Sequence, residues 1–452
     1  MPELARQGEQ GRALRCRASR CRTVAGRPGA LPVALALAAA AVLAACGGGG
    51  EGTPTLTWYT NPDNGGQEQL AERCTSSADG EYRVEVSVLP RDADSQREQL
   101  VRRLAANDSS IDLMSLDPVF VPEFAEAGFL RPFRAREAAE LTKGVLDGAV
   151  KTSTWGDRLV AAPFWANTQL LWYRKSVAER AGLDPAAEPV TWDQLIAAAR
   201  ETGTTVDVTG ARYEGYMVWI SSLVASAGGQ VLEDATAGRD ATPTLDSAAG
   251  RRAAEIIRAV ARDVAPPGVS TALEEDARAA FQSDTGGFMV NWPYVYGAVL
   301  AGVEDGTVDR SVADDIGWAR VPRVDEGTES APPLGGINIG IGAFSEHPGF
   351  AVDAVRCLTS EASQKAYMLG EGNPAARSAV FDDPEVVARF PMADLIRASI
   401  DDATPRPQSP YYPDVSAATV REFHPPASVD PDSTPQDADK LIVDVLQDRQ
   451  LL

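Results

Sequence analysis

Residues 82–116 read YRVEVSVLPRDADSQREQLVRRLAANDSSIDLMSL, and their pattern decides the fold class. Tyr82 to Leu89 alternates apolar and polar side chains, the period of a half-buried strand. Asp94 to Asn107 changes to helical spacing, with Leu100, Val101, Leu104 and Ala105 on one face. Ile111 to Leu116 is strand-like again and stops at Asp117-Pro118, a pair that favours a turn. Upstream, TLTWYT (Thr55 to Thr60) is another β-rich alternation, followed by a helical stretch around Gln67 to Cys74. Downstream, a helix carrying Phe124 and Ala125 ends at Gly128. A run of alternating strands and helices implies an α/β fold with a mainly parallel sheet.

The alternation continues beyond it. After a break at Pro163, TQLLWYR (Thr168 to Arg174) reads as a strand. Thr191 and Gln194 have the spacing of a capping box for the helix of Leu195 to Arg200. Tyr216 to Ala227 is a helix closed by Gly228-Gly229, and Ser247 to Arg262 a strongly amphipathic one. Glu274 to Ser283 is helical, with GGFMVNW (Gly286 to Trp292) a strand after it. Gly335 to Phe344 is a glycine-rich strand, and the C-terminal third turns helical between proline-rich loops. About 400 residues exceed one ordinary core, so two lobes are expected.

The N-terminus carries an address. Met1 to Ala30 holds seven arginines and two glutamates, and Leu31 to Ala45 is an apolar run interrupted only by Pro32. As a helix that run would reach about 22 Å, short of the roughly 30 Å hydrocarbon thickness. A basic segment before a short apolar one is an export signal. It ends in LAAC (Leu43 to Cys46) followed by GGGG, which is similar to a bacterial lipobox, in which the cysteine becomes the lipidated first residue. Residues 1–45 are then the signal peptide and 46–54 a glycine-rich tether.

Charge excludes some partners. The chain has 42 basic and 64 acidic residues, a net charge of −22, and loss of residues 1–45 takes it to −27. Such a surface is repelled by nucleic acid and anionic lipid, leaving the anchor as the membrane contact. With Cys16 and Cys21 in the leader and Cys46 at the anchor, Cys74 and Cys357 remain, as one disulfide or as two buried thiols.

Catalysis has little support. His347 and His424 lack ligand-spaced neighbours, so no metal centre or cofactor is expected, and neither a nucleophile elbow nor a phosphate-binding loop occurs. Aromatics beside amides and acids at strand ends are the distinctive pattern: Asp117, Trp165 with Asn167, and Asn291-Trp292 with Tyr294. In open α/β sheets ligands bind beyond the carboxyl ends of strands. Aromatic faces cover the C–H side of a sugar ring while acids, amides and arginine hold its hydroxyls. Each residue also has a plainer role available, Trp292 as core and Asp117-Pro118 as a turn.

From about Thr55 onward the chain resembles the extracytoplasmic solute-binding proteins of carbohydrate ABC importers. The order TLTWYT, IDLMSLD, EFAEAGFLRPF, AAPFWANTQLLWYRK and FQSDTGGFMVNWPY carries the likeness. Within that family it is most similar to the actinobacterial trehalose-binding lipoproteins, through DSQREQLVRRLAAND, YEGYMVWISSLVASAGGQVL, VNWPYV and RPQSPYY. The resemblance implies two α/β lobes clasping a sugar: 55–163 with about 335–385, and 164–334 with about 386–452. It implies ligand contacts from Gln96 and Asp117 in the first lobe, Asn167 near the hinge, and Glu274, Trp292 and Arg406 opposite. Gly336 and Ile337 would lie on the cleft floor, Trp292 would stack on a glucose ring, and Cys74 and Cys357 match a cysteine pair of the family. The loop TNPDNGGQ is spaced differently, which bears on Asn61 and Asn64, and the segment between Val303 and Gly317 is shorter. The implied protein is a monomeric, non-enzymatic receptor outside the cell membrane, delivering trehalose or a similar disaccharide to permease subunits with a cytoplasmic ATPase. Alternatives are a maltose-type oligosaccharide, a glycerophosphodiester, a secreted glycosidase using Asp117 and Glu274, or a lipoprotein without a small ligand.

Overall fold

The computed structural model describes residues 52–452, so Cys46, the leader and most of the tether lie outside the described residues. The strands that matter are β1 (Thr55–Thr60), β2 (Arg83–Val88), β3 (Leu113–Leu116), β4 (Ala161–Asn167), β5 (Leu170–Arg174), β6 (Thr205–Asp207), β7 (Gly286–Asn291), β8 (Ile316–Ala319), β9 (Pro333–Ile341) and β10 (Thr404–Pro405). The helices that position the site are α1 (Gly66–Ser77), α2 (Ala93–Ala105), α3 (Val121–Glu126), α4 (Glu214–Ser226), α5 (Ala248–Asp263), α6 (Glu274–Phe281), α7 (Pro348–Leu358), α8 (Glu361–Glu371), α9 (Tyr412–Phe423) and α10 (Thr434–Leu446).

The first sheet has the order β10-β9-β3-β1-β2, with β4 also paired to β9. β1 pairs β2 and β3 in parallel because α1 and α2 carry the chain back between them. Asp92 caps α2 by accepting the Ser95 amide at 2.8 Å, and Leu100 and Leu104 bury its apolar face. On the other face of the sheet Trp58, Phe164 and Tyr367 pack ring against ring, with centroids 5.7 and 4.9 Å apart.

Pro163 does not break the strand. It lies inside β4 opposite Asn338, while the next pair on β9 is Ile337 with Trp165. Phe164 is left over as a bulge, which absorbs the donor that proline lacks and turns the Phe164 ring into the core. Gly336 faces this bulge with φ +126°, where a Cβ would stand 2.3 Å from the Trp165 carbonyl oxygen. The glycine-rich reading of β9 has its cause in that close approach.

The second sheet has the order β8-β5-β7-β6. The expectation of mainly parallel strands fails in it: β5 runs antiparallel to both β7 and β8, and only β6 with β7 is parallel. The reason is the route of the chain. β5 follows β4 of the first sheet across Thr168-Gln169, with no helix between them to restore the direction. The chain returns to the first sheet between β8 and β9. α4 is apolar on every side and is buried accordingly, against α5 and α9.

Cys74 on α1 and Cys357 on α7 form a disulfide with Cα atoms 5.8 Å apart, closing 283 residues of chain. Of the two states left open for these cysteines, the bonded one is present.

Asp207 ends β6 with no exposure and, among the described residues, only the Thr205 hydroxyl as a side-chain donor, at 3.0 Å. Burial pushes its pKa up to about 7. An acid whose folded pKa is raised keeps its proton in the folded state after losing it unfolded. Stability therefore falls as pH rises from about 4 to about 7. Asp207→Asn is expected to remove that slope and to gain as much as about 4 kcal/mol at pH 8. Urea unfolding at pH 5 and pH 8 measures it, and equal slopes for the two proteins would exclude the assignment.

Candidate functional site

β3 stops at Asp117, and this carboxylate does two things. Oδ1 accepts the Val119 amide at 3.2 Å, which is the turn role, and also accepts Nη2 of Arg406 at 2.8 Å. Arg406 is 3% exposed, and its other arm donates Nη1 to Glu214 Oε1. Glu214, the first residue of α4, also accepts the hydroxyls of Tyr412 and Ser416. A carboxylate in the first helical turn is favoured by the exposed amides there. Burial nevertheless pushes the Glu214 pKa up, with Arg406 pulling it back. For Arg406 burial works against the charge, but Asp117, Tyr412 and Glu214 outweigh it and the guanidinium is held charged.

The second group of residues gathers at the end of β7. Asn291 is fully buried and spends its amide locally: Nδ2 donates to the Glu274 carbonyl at 3.0 Å, and Oδ1 accepts the Trp292 amide at 2.8 Å. It thus ties α6 to the strand end and sets the direction of Trp292. The six-membered ring of Trp292 lies over β9, where a Cβ on Gly335 would come within 3.0 Å of it and 3.8 Å of the Asn167 Cβ. Any larger residue at 335 would push the ring away. Trp292 is half-buried, so part of its surface stays open.

Glu274 accepts the Tyr213 hydroxyl. Burial raises the Glu274 pKa, while hydrogen bonds from Tyr213 and Trp292 lower it. A Cβ on Gly215 would meet Glu274 Oε1 at 2.7 Å, so this carboxylate lies over the start of α4, next to Glu214. Contacts therefore join Asp117, Arg406 and Glu214 in one group and Glu274, Trp292, Gly335 and Asn167 in another, with Glu274 lying over Gly215, the residue after Glu214. Ends of strands from both sheets meet there.

Other expected residues have local partners. Gln96 turns its Nε2 to the Pro90 carbonyl at 2.7 Å, so it braces the loop ahead of α2. Asn64 donates both its amide and its Nδ2 to Glu371 Oε2 at 3.0 Å, which ties the loop after β1 to α8. Asn167 is buried and its Oδ1 accepts the Thr168 amide at 3.0 Å. Ile337 buries its side chain in the core of the first sheet, and Gly336 serves the bulge. Sequence reasoning did not single out Tyr213, Glu214, Tyr412 and Ser416, which hold Glu274 and Arg406 in place. The available signal was a glutamate opening the otherwise apolar helix YEGYMVWI. Among the described residues no three His, Cys, Asp or Glu side chains gather as a metal site, and no helix is long and apolar enough to cross a membrane.

Comparison with known proteins places this architecture. A probable ABC transporter-binding protein of Deinococcus radiodurans is 26% identical over 338 residues, covering 72% of this chain and 76% of that one. The maltose-bound MalE3 structure of T. maritima is 28% identical with a TM-score of 0.75, over 88% of this chain and all of that one. A solute-binding protein of Thermotoga lettingae bound to α-D-tagatose has the same fold, with a TM-score of 0.72 at 23% identity, over 87% of this chain and all of that one. The description of the bacterial extracellular solute-binding proteins matches residues 78–365, a span that runs from β2 through β9 to the start of α8 and leaves β1 and β10 outside, and the chain belongs to that family.

Proposed function

We propose that the protein is a lipid-anchored receptor that captures trehalose or a similar disaccharide and delivers it to an ABC permease and its ATPase. Cys46 carries the lipid in this reading, and the mass of the mature N-terminus tests it. The two lobes are 55–163 with about 335–385, and 164–334 with about 386–452, closing on the sugar. The carrying observation is the half-open Trp292 ring on Gly335, flanked by Asn167 and Glu274, with the Asp117–Arg406 pair at the end of β3 as a further polar group. An aromatic platform ringed by charged hydrogen-bonding groups suits a neutral polyhydroxyl ligand. The relatives support the class: one is named an ABC transporter-binding protein and another was solved with maltose. A maltose-type oligosaccharide is the second reading, favoured by that neighbour. A glycerophosphodiester is disfavoured, because Arg406 is already engaged by two carboxylates. Glu274 is held by Tyr213, Asp117 by Arg406, and the sugar is expected to be returned unhydrolysed.

Titration calorimetry against trehalose, maltose and other disaccharides tests the reading. A Kd of about 1 μM, roughly −8 kcal/mol, is expected for the true ligand. Trp292→Ala and Asp117→Ala should each weaken it by at least about 100-fold, close to 3 kcal/mol. Melting of the Trp292 variant should stay within a few degrees of the parent. Full binding by either variant removes that residue from the site; silence toward every sugar removes the reading.

A further inference from the structure

One acid beside this site has no role in what precedes. Asp94 stands in the first turn of α2, three residues before Arg97 and on the same face. Arg97 donates Nε and Nη2 to the two oxygens of Glu123, each at 2.5 Å, fixing that face of α2 against α3 just beyond Asp117. Asp94 is half-buried, and its carboxylate has no hydrogen-bond or ion-pair partner among the described residues. Around it stand Asp92 and Arg97 on its own element, Asp117 at the end of β3 and Glu214 at the start of α4. Arg406 lies between the last two, and Asp414 of α9 faces Arg97. Both cations are committed elsewhere, so carboxylates are in surplus. A second polar group in the cluster also lacks a partner, the buried Nε of Arg406.

We propose that Asp94 is a specificity-determining residue of the ligand cleft, accepting a hydroxyl or ammonium of the solute and turning away solutes that present an anion there. The inference rests on the sugar-receptor reading above. An ionised carboxylate only accepts hydrogen bonds, so its natural complement is a donor. An anion placed against it meets like charge in a half-buried setting, where water screens little. Burial first, then Glu214 and Asp92, pushes the Asp94 pKa up to about 7, with Arg97 opposing. The discrimination is therefore strongest above pH 7 and fades as Asp94 takes up its proton.

Calorimetry with matched pairs tests it: trehalose and maltose, each against the derivative with one 6-hydroxymethyl group oxidised to carboxylate, at pH 8 and pH 5.5. At pH 8 the carboxylate derivatives should bind at least about 100-fold more weakly than their neutral parents. Asp94→Asn should shrink that ratio by about tenfold, Asp94→Glu should keep it, and pH 5.5 should move the parent protein toward the asparagine variant. Neutral sugars that bind with a ratio unchanged by Asp94→Asn would overturn the role of Asp94 and leave the receptor standing. If neither neutral sugar binds, the trehalose and maltose assignments fall, and this inference falls with them.

Discussion

Arg406→Ala should lose about 3–5 kcal/mol of folding stability at pH 8, together with sugar binding. The arginine is the only cation bonded to both Asp117 and Glu214 among the described residues, and it is almost wholly buried. Its removal leaves two carboxylates close together with little water, and that uncompensated charge is the larger part of the loss. The sign of the pH effect follows. In the variant Glu214 loses the arginine that pulls its pKa down and holds its proton more tightly when folded, so stability should recover as pH falls from 8 to 5. Adding Glu214→Gln to Arg406→Ala should restore part of the loss at pH 8. Urea unfolding of the three proteins at the two pH values measures this; an Arg406→Ala protein within about 1 kcal/mol of the parent would contradict it.

The second large effect is on the disulfide. Replacing Cys74 and Cys357 together by serine opens a loop of 283 residues. The chain-entropy relation gives about 5 kcal/mol for a loop of that length, an upper value because a denatured chain retains some compactness. Melting should fall by about 5–10 °C. The bond joins α1 and α7, and neither cysteine is among the residues gathered around Trp292 and Arg406, so sugar affinity should stay within about threefold. Unchanged melting would mean that the bond constrains nothing the fold does not already hold.

The parts of this fold legible in the sequence are those governed by local periodicity. The strands at 55–60, 82–89, 111–116 and 286–292 and the helices at 94–107, 216–227 and 247–262 announce themselves through alternation, apolar faces and caps. Strand direction in the second sheet was not legible, because it depends on β5 following β4 without a crossover helix. Pro163 misled for a related reason: proline ends strands locally, but an edge strand with a bulge tolerates it.

Candidate site residues were legible where chemistry coincides with a strand end. Asp117, Asn167, Glu274, Trp292 and Arg406 could be named in advance as candidates; contacts pair Asp117 with Arg406 and bring Asn167 and Glu274 to Trp292, and their part in binding is a proposal. Glu214 was not, since a glutamate at a helix start looks like ordinary capping until its partner 192 residues later is brought alongside. Nor could one turn of α2 be resolved: Gln96 folds back on Pro90, while Asp94, two residues earlier and about 200° around the helix, lies toward the acids.

Asp117 both closes the turn after β3 and grips Arg406. A position with two such duties cannot be exchanged freely, since every exchange there disturbs the turn and the hold on Arg406 together. Drift toward new solutes is left to positions free of scaffold duty. In this chain the doubly employed Asp117 and the unpartnered Asp94 stand side by side.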